Sequence, residues 1–432
     1  MIELSGSFWI ILTGVLAATS CGLLGTFLVL RKMSMLGDAL SHAVLPGIAI
    51  AFFFTGHRSI LPMFIGAAVF GLITTLLVES LNRRWKVQED ASIGIVFTAL
   101  FALGVVLISA YAGQVDLDQE CVLYGEIAFT QWDILLIGGQ EMGPRPVWIL
   151  GSVCLLNLLL VVLFYKELVI SSFDPALAVS VGINATLVHY LLMGAVSLTT
   201  VAAFESVGAI LVVALLIVPG AAAYLWSDRL PIILALSVLF GVIAAVGGYE
   251  LAGKWDSSIA GAMVVVLGGL FVLSVLGSPN QGMVARLWQR LNLSLRVAQD
   301  HMLLGMVRRA EVQRNGWTPQ TLTATAAVWR PLARLAFKRL LRQGLVVVNG
   351  GHVALSEAGR SAGLNLLRSH RLWETYLSTL GLPEDHLHDP ADAVEHFIGE
   401  ELQQELDAQV AAGEVDKQVD PQGKTIPKPQ RG

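Results

Sequence analysis

The sequence is short of charge and of cysteine, and each shortage narrows what the chain can be. Only 14% of its 432 residues are charged, against about 25% in soluble globular proteins. Cys21, Cys121 and Cys154 have neither C-x-x-C spacing nor pairing logic, so no thiolate metal site and no disulfide framework is expected. No H-E-x-x-H pair occurs, which removes the helical zinc-protease motif. A phosphate-cradling G-x-x-x-x-G-K-[ST] loop is missing too: the GKT at Gly423–Thr425 has Gln418 at the first glycine position and no apolar strand before it. The chain is therefore expected to bind no ATP. The N-terminus has no basic n-region, and its first apolar run, 8–30, is too long for a signal-peptide core; it reads as an uncleaved span.

What the sequence has in excess is apolar length. Hydrophobic residues make up 55% of the chain, and mean hydropathy is +0.67. The apolar runs end near Gly277, after which the chain turns polar, so the net charge of −5 averages two unlike halves. Runs at 8–30, 39–55, 60–79, 93–111, 147–165, 187–203, 206–226, 231–250 and 259–277 are each long enough to cross roughly 30 Å of hydrocarbon as a helix. These predict an α-helical polytopic membrane protein of about nine spans, followed by a soluble domain. One alternating set of connections holds Arg31, Lys32, Arg83, Arg84, Lys86, Lys166 and Arg229, the other only Arg58, Arg145 and Lys254. The richer set belongs in the cytosol, which puts the N-terminus outside and the C-terminal domain inside. The 112–146 connection is acidic, with Asp116, Asp118, Glu120, Glu126 and Asp133. That suits an outer surface receiving cations, and equally a plain solvated loop.

Ionisable groups inside spans are costly and mark pathways by default. Asp38 and His42 stand at i and i+4, on one helix face, and offer oxygen and nitrogen donors suited to Mn, Fe or Zn. Two ligands make a sparse site that a second copy of the chain would double. The same spacing fits an Asp38 capping a helix start and a buried His42, and spacing alone does not decide. Glu205, between two spans, either guides a cation or sits at the interface; His189 reads as structural.

Four stretches, LRKMSMLGDALSHAVLPGIAIAF, QEDASIGIVFTALFALGVVLIS, VLYGEI and SFDPALAVSVGI, together resemble the permeases of zinc/manganese/iron ABC importers, over about residues 8–278. The resemblance implies a bacterial cytoplasmic-membrane permease paired with a second, identical or related one. It also implies two ATPase subunits that hydrolyse the ATP and an extracytoplasmic solute-binding protein that delivers the metal. The family's Asp-x-x-x-His pair falls on Asp38 and His42. SFDPALAVSVGI resembles the segment that docks on the ATPase, with Phe173, Asp174, Pro175 and Gly182 in it.

Beyond a linker at 279–296, helices at 297–312, 318–325 and 330–342 precede GLVVVNGGHVALSEAG, two strands about an Asn-Gly-Gly turn. That is the order of a winged helix, expected over 297–358. Its third helix carries Arg330, Arg334, Lys338, Arg339 and Arg342, which suit DNA phosphates or a solvated basic face. In 359–427, His370 and Glu374 stand at i and i+4, and His388, Asp392, Glu395 and His396 at i, i+4, i+7 and i+8, one helical face. Six nitrogen and oxygen donors without a thiolate favour Mn²⁺ or Fe²⁺. These residues resemble the diphtheria-toxin-repressor and manganese-repressor family, which implies that the six are ligands, that His301 is a further one, and that 359–427 binds metal and dimerises. Asp392, where iron-responsive members carry cysteine, resembles the manganese-responsive branch. The expected function is the permease of a divalent-metal importer, manganese first, with a cytosolic metal-sensing domain. The alternative makes the C-terminal part a metal-dependent DNA-binding repressor.

Overall fold

The computed structural model describes residues 6–55, 60–111, 127–137, 140–279, 281–311, 316–326, 328–379, 402, 405–406 and 425–427. The chain forms two compact units, Met1–Ala285 and Arg286–Gly432. Among the described residues, nine helical segments are long and apolar enough to cross a membrane.

The first unit is built around α1 (Gly6–Leu30), most of whose residues between Ile10 and Leu28 are buried. α2 (Met35–Ala43) and α3 (Leu45–Thr55) together make one span, α4 (Ile60–Trp85) and α5 (Glu89–Tyr111) the next two. A 3-10 helix (Ile127–Trp132) and an antiparallel hairpin, β1 (Ile134–Ile137) and β2 (Gln140–Pro144), occupy part of the stretch read as a plain loop. Then come α6 (Arg145–Leu163), α7 (Tyr165–Phe173), α8 (Pro175–Ser180), α9 (Ala185–Val207), α10 (Ala209–Trp226), α11 (Leu230–Trp255) and α12 (Ile259–Gly277). α1 packs mainly on α10, α11 and α6. Lipid tails supply no hydrophobic drive between helices, so close packing and polar contacts hold them. Asn157 Nδ2 donates to Thr199 Oγ1 at 2.7 Å, and Ser237 Oγ donates to the Gly22 carbonyl at 3.1 Å. Where α3 meets α4, a Cβ at Gly47 would lie 2.2 Å from the Gly66 oxygen, and one at Gly66 would lie 2.4 Å from the Gly47 oxygen. The backbones touch, and only glycine permits it.

Two breaks have clear causes. Pro46 has no N–H for the carbonyl of His42 four residues back; the Val44 N–H takes that carbonyl, and the span divides into α2 and α3. The break expected at 204–205 falls instead at Gly208, whose φ of 81° and ψ of 160° suit only glycine. Glu205 therefore lies in the last turn of α9, not between spans.

In the second unit, α13 (Met283–Glu311) is helical through most of the stretch read as a linker. α14 (Pro319–Ala324), opened by a Thr318/Thr321 capping box, and α15 (Arg330–Arg342) follow. β3 (Val346–Asn349) and β4 (His352–Leu355) pair about Gly350 and Gly351, both at positive φ, and Trp317 bridges to Val353. That is the winged-helix order. Leu295, Met302, Met306, Leu322, Leu340 and Val353 are among the buried core residues, and full burial of such aliphatic side chains stabilises by about 1.5–3 kcal/mol each. α16 (Glu357–Thr379) follows.

Candidate functional site

α2 is a nine-residue helix whose N-cap is Ser34. Asp38 is thus inside the first turn and does not cap it. Its Oδ1 lies 3.8 Å from His42 Nε2, with the Asp38 side chain 45% exposed and His42 27%. The imidazole is held against two rings of α5, Phe97 and Phe101, at centroid distances of 5.9 and 5.6 Å. One chain therefore presents an oxygen and a nitrogen donor, both partly exposed, on one helix face. Glu205 is exposed on α9, and Arg145 and Asp133 are the charged groups that act on it.

A second polar cluster was not evident beforehand. Arg83 Nη2 and Glu79 Oε1 pair at 2.7 Å on α4, and Glu79 Oε2 lies 3.8 Å from His189 Nε2 on α9. His189 Nδ1 lies 3.4 Å from Arg31 Nη1. Arg31 also donates from Nε to Ser172 Oγ at 3.0 Å and from Nη2 to Ser171 Oγ at 2.9 Å. Burial pushes the Arg31 guanidinium down to about 10, which leaves it charged at neutral pH. As the Nδ1 lone pair faces that cation, the tautomer that fits carries its proton on Nε2, toward Glu79. His189 is thus a bridge between charges. The cluster's members are remote in sequence: His189 is 110 residues from Glu79 and 158 from Arg31.

Ser171 and Ser172 lie in the last turn of α7, where the SFDP segment begins. There Asp174 caps α8, its Oδ1 accepting from the Leu177 N–H at 2.9 Å. Phe173, Asp174 and Pro175 are exposed, and the chain leaves α8 through Gly182 at φ 84°. Leu177, Val179 and Val181 are exposed beside them. This is an apolar knob on a capped helix, with Arg31 holding its base.

In the second unit, His370 Nε2 and Glu374 Oε1 lie 3.1 Å apart on α16, both side chains 3% exposed. A buried imidazole–carboxylate pair has the donors that Mn²⁺ or Fe²⁺ prefers, so these two fit a metal. His301 lies on α13. His388, Asp392, Glu395 and His396 lie outside the described residues, and among the described residues no group of three or more such donors forms. Arg330, Arg334, Lys338, Arg339 and Arg342 are all exposed.

Comparison with known proteins divides the chain at the same change of composition. Residues 5–278 match the ABC 3 transport family. Residues 356–428 match the iron dependent repressor, metal binding and dimerisation domain. The manganese transport system membrane protein MntD of Bacillus subtilis is 52% identical over 285 residues, 66% of this chain and 96% of that protein. The zinc transport system membrane protein TroD of Treponema pallidum is 41% identical over 356 residues, 82% of this chain and 96% of that protein. Among solved structures, PsaBC from Streptococcus pneumoniae in complex with Fab aligns with a TM-score of 0.55 and 33% identity, covering 65% of this chain and 94% of that one.

Proposed function

Because the chain belongs to the ABC 3 transport family, we propose that it is the membrane permease of an ATP-driven importer of divalent transition metal, manganese ahead of zinc or iron. The observation that carries this reading is the Asp38/His42 pair, a sparse set of oxygen and nitrogen donors on a broken span. Such a pair holds a borderline cation weakly enough to release it, and a second permease copy doubles the donors. Glu205 serves as an outer guide. The metal is the substrate here, handed over by an extracytoplasmic binding protein. ATP hydrolysis belongs to a separate ATPase subunit, which docks on Phe173, Asp174, Pro175 and the turn at Gly182. The lysine and arginine distribution supports an N-terminus outside and a C-terminal domain in the cytosol.

The domain at 359–427 senses manganese. His370 and Glu374 supply two of its ligands, and His388, Asp392, Glu395, His396 and His301 complete the set. Metal binding there slows import only if it favours one state of the domain over another. The exposed basic face of α15 favours a second reading, a winged helix that binds DNA phosphates.

The test is uptake of radioactive manganese, iron and zinc into vesicles holding the reconstituted importer. Asp38→Ala is expected to cut manganese uptake by about 10–100-fold, the usual cost of disturbing a metal site; normal uptake would remove the pathway assignment. A chain ending near residue 285 is expected to lose inhibition by manganese on the cytosolic side. Unchanged inhibition would remove the sensor.

A further inference from the structure

α13 begins with a stretch whose apolar side chains are exposed. Its residues from Leu295 onward pack into the core of the second unit, whereas Met283, Val284, Leu287, Trp288 and Leu291 are between 42% and 67% exposed. At 100° per residue these five apolar side chains fall on one arc of roughly 140°. Ala285, Gln289 and Asn292 face the opposite way. Arg286 and Arg290 stand together on one flank of the apolar arc, and no acidic residue occurs from Ser278 to Gln299.

The chain itself limits what can cover this face. α12, the last segment among the described residues apolar enough to span the membrane, ends at Gly277, and α13 starts at Met283. The five intervening residues reach at most about 18 Å even when fully extended. The first turns of α13 are therefore tethered beside the headgroups where α12 emerges. A short helix with an apolar arc, an interfacial tryptophan and flanking arginines suits that layer. The arc enters the acyl boundary, the indole sits at headgroup level, and the guanidinium groups reach lipid phosphates.

We propose that residues 283–291 form an interfacial helix lying in the leaflet at which α12 ends, held by its apolar arc and by anionic lipid on Arg286 and Arg290. The soluble unit is thereby anchored to the bilayer rather than hung from a free tether. This rests on Ile259–Gly277 crossing the membrane and on nothing about the substrate. Its failure would therefore leave the transport assignment standing.

The test uses the full-length protein in vesicles of phosphatidylcholine, with and without phosphatidylglycerol. Nitroxides are placed on single cysteines at 287, 288 and 291, and at 285, 289 and 292. In the vesicles with phosphatidylglycerol, the first three are expected to be several-fold more accessible to oxygen than to a nickel chelate, and the second three the reverse. The contrast should shrink when Arg286→Gln and Arg290→Gln are combined, or when phosphatidylglycerol is omitted. Chelate access at all six positions would mean a face open to water and would overturn the proposal. So would protection of 287, 288 and 291 from both reagents, which would mean that protein covers the face. Should replacement of the native cysteines prevent folding, a benzophenone amino acid at 287 in the otherwise native chain gives the same decision, with adducts to lipid expected and adducts only to protein refuting.

Discussion

Removing Arg83 should damage the protein more than removing the charge of Glu79, although the two are partners in one ion pair. The reason is their unequal burial: the Glu79 side chain is 10% exposed and that of Arg83 is 57%. In Arg83→Ala, the buried carboxylate loses its 2.7 Å cation. His189, at 3.8 Å, and Tyr190 remain as its polar neighbours. Breaking a fully buried pair from one side costs about 3–5 kcal/mol; with Arg83 more than half exposed, about 2 kcal/mol is the reasonable discount. In Glu79→Gln, the arginine swings into water and the amide still fills the space, so the cost is about 1 kcal/mol or less. The difference of about 1 kcal/mol corresponds to roughly a fivefold change in the folded-to-unfolded ratio. Melting of the purified protein in one detergent, at one heating rate, should rank the variants wild type, Glu79→Gln, Arg83→Ala from most to least stable. The double variant should resemble Glu79→Gln alone, because no unpaired carboxylate remains. If Glu79→Gln melted lower than Arg83→Ala, the carboxylate would not be the buried, dependent partner.

Asp174→Ala removes the cap of six-residue α8 at a cost of about 1 kcal/mol; ATP hydrolysis by the assembled importer should continue while metal uptake per ATP falls. Glu374→Gln keeps the shape of the buried pair and removes its charge. The rise in melting temperature that manganese gives the full-length chain should shrink, and an undiminished rise would exclude Glu374 as a ligand. Gly47→Ala places a methyl group 2.2 Å from the Gly66 oxygen, so α3 and α4 must part by about 1 Å, an overpacking cost of about 1–3 kcal/mol. Lower yield and melting temperature are expected, with the same result for Gly66→Ala.

The spans were legible because uninterrupted apolar length is a local property, and each expected run lies within or close to one of the nine helical segments. Their ends were less so. α4 continues to Trp85, past the expected end at 79, because Arg83 turns back onto Glu79 and long side chains extend a helix beyond its apolar part. The hairpin at 134–144 has no clean alternation and read as loop. Asp38 and His42 were visible because a helix brings i and i+4 together. The Glu79–His189–Arg31–Ser171 chain was not, since four elements meet there and no spacing encodes their meeting. His189 was read as structural; it stands between two charges, and Arg31 links it to α7. The pair on α16 was visible by the same i, i+4 rule, whereas its four expected companions lie outside the described residues.

The division of the second span at Val44 has a mechanical consequence. α3 is held against α4 by the glycine contact, so any tilt of α2 would pivot at its C-terminal end. Asp38 stands six residues from that pivot, about 9 Å along the axis, and His42 two residues, about 3 Å. A tilt of about 10° would then carry Asp38 through about 1.6 Å and His42 through only about 0.5 Å. The histidine would stay near Phe97 and Phe101 while the carboxylate travelled. A cation on the pair would thus rest on one fixed donor and one mobile donor, and a modest swing of nine residues would be enough to loosen its hold.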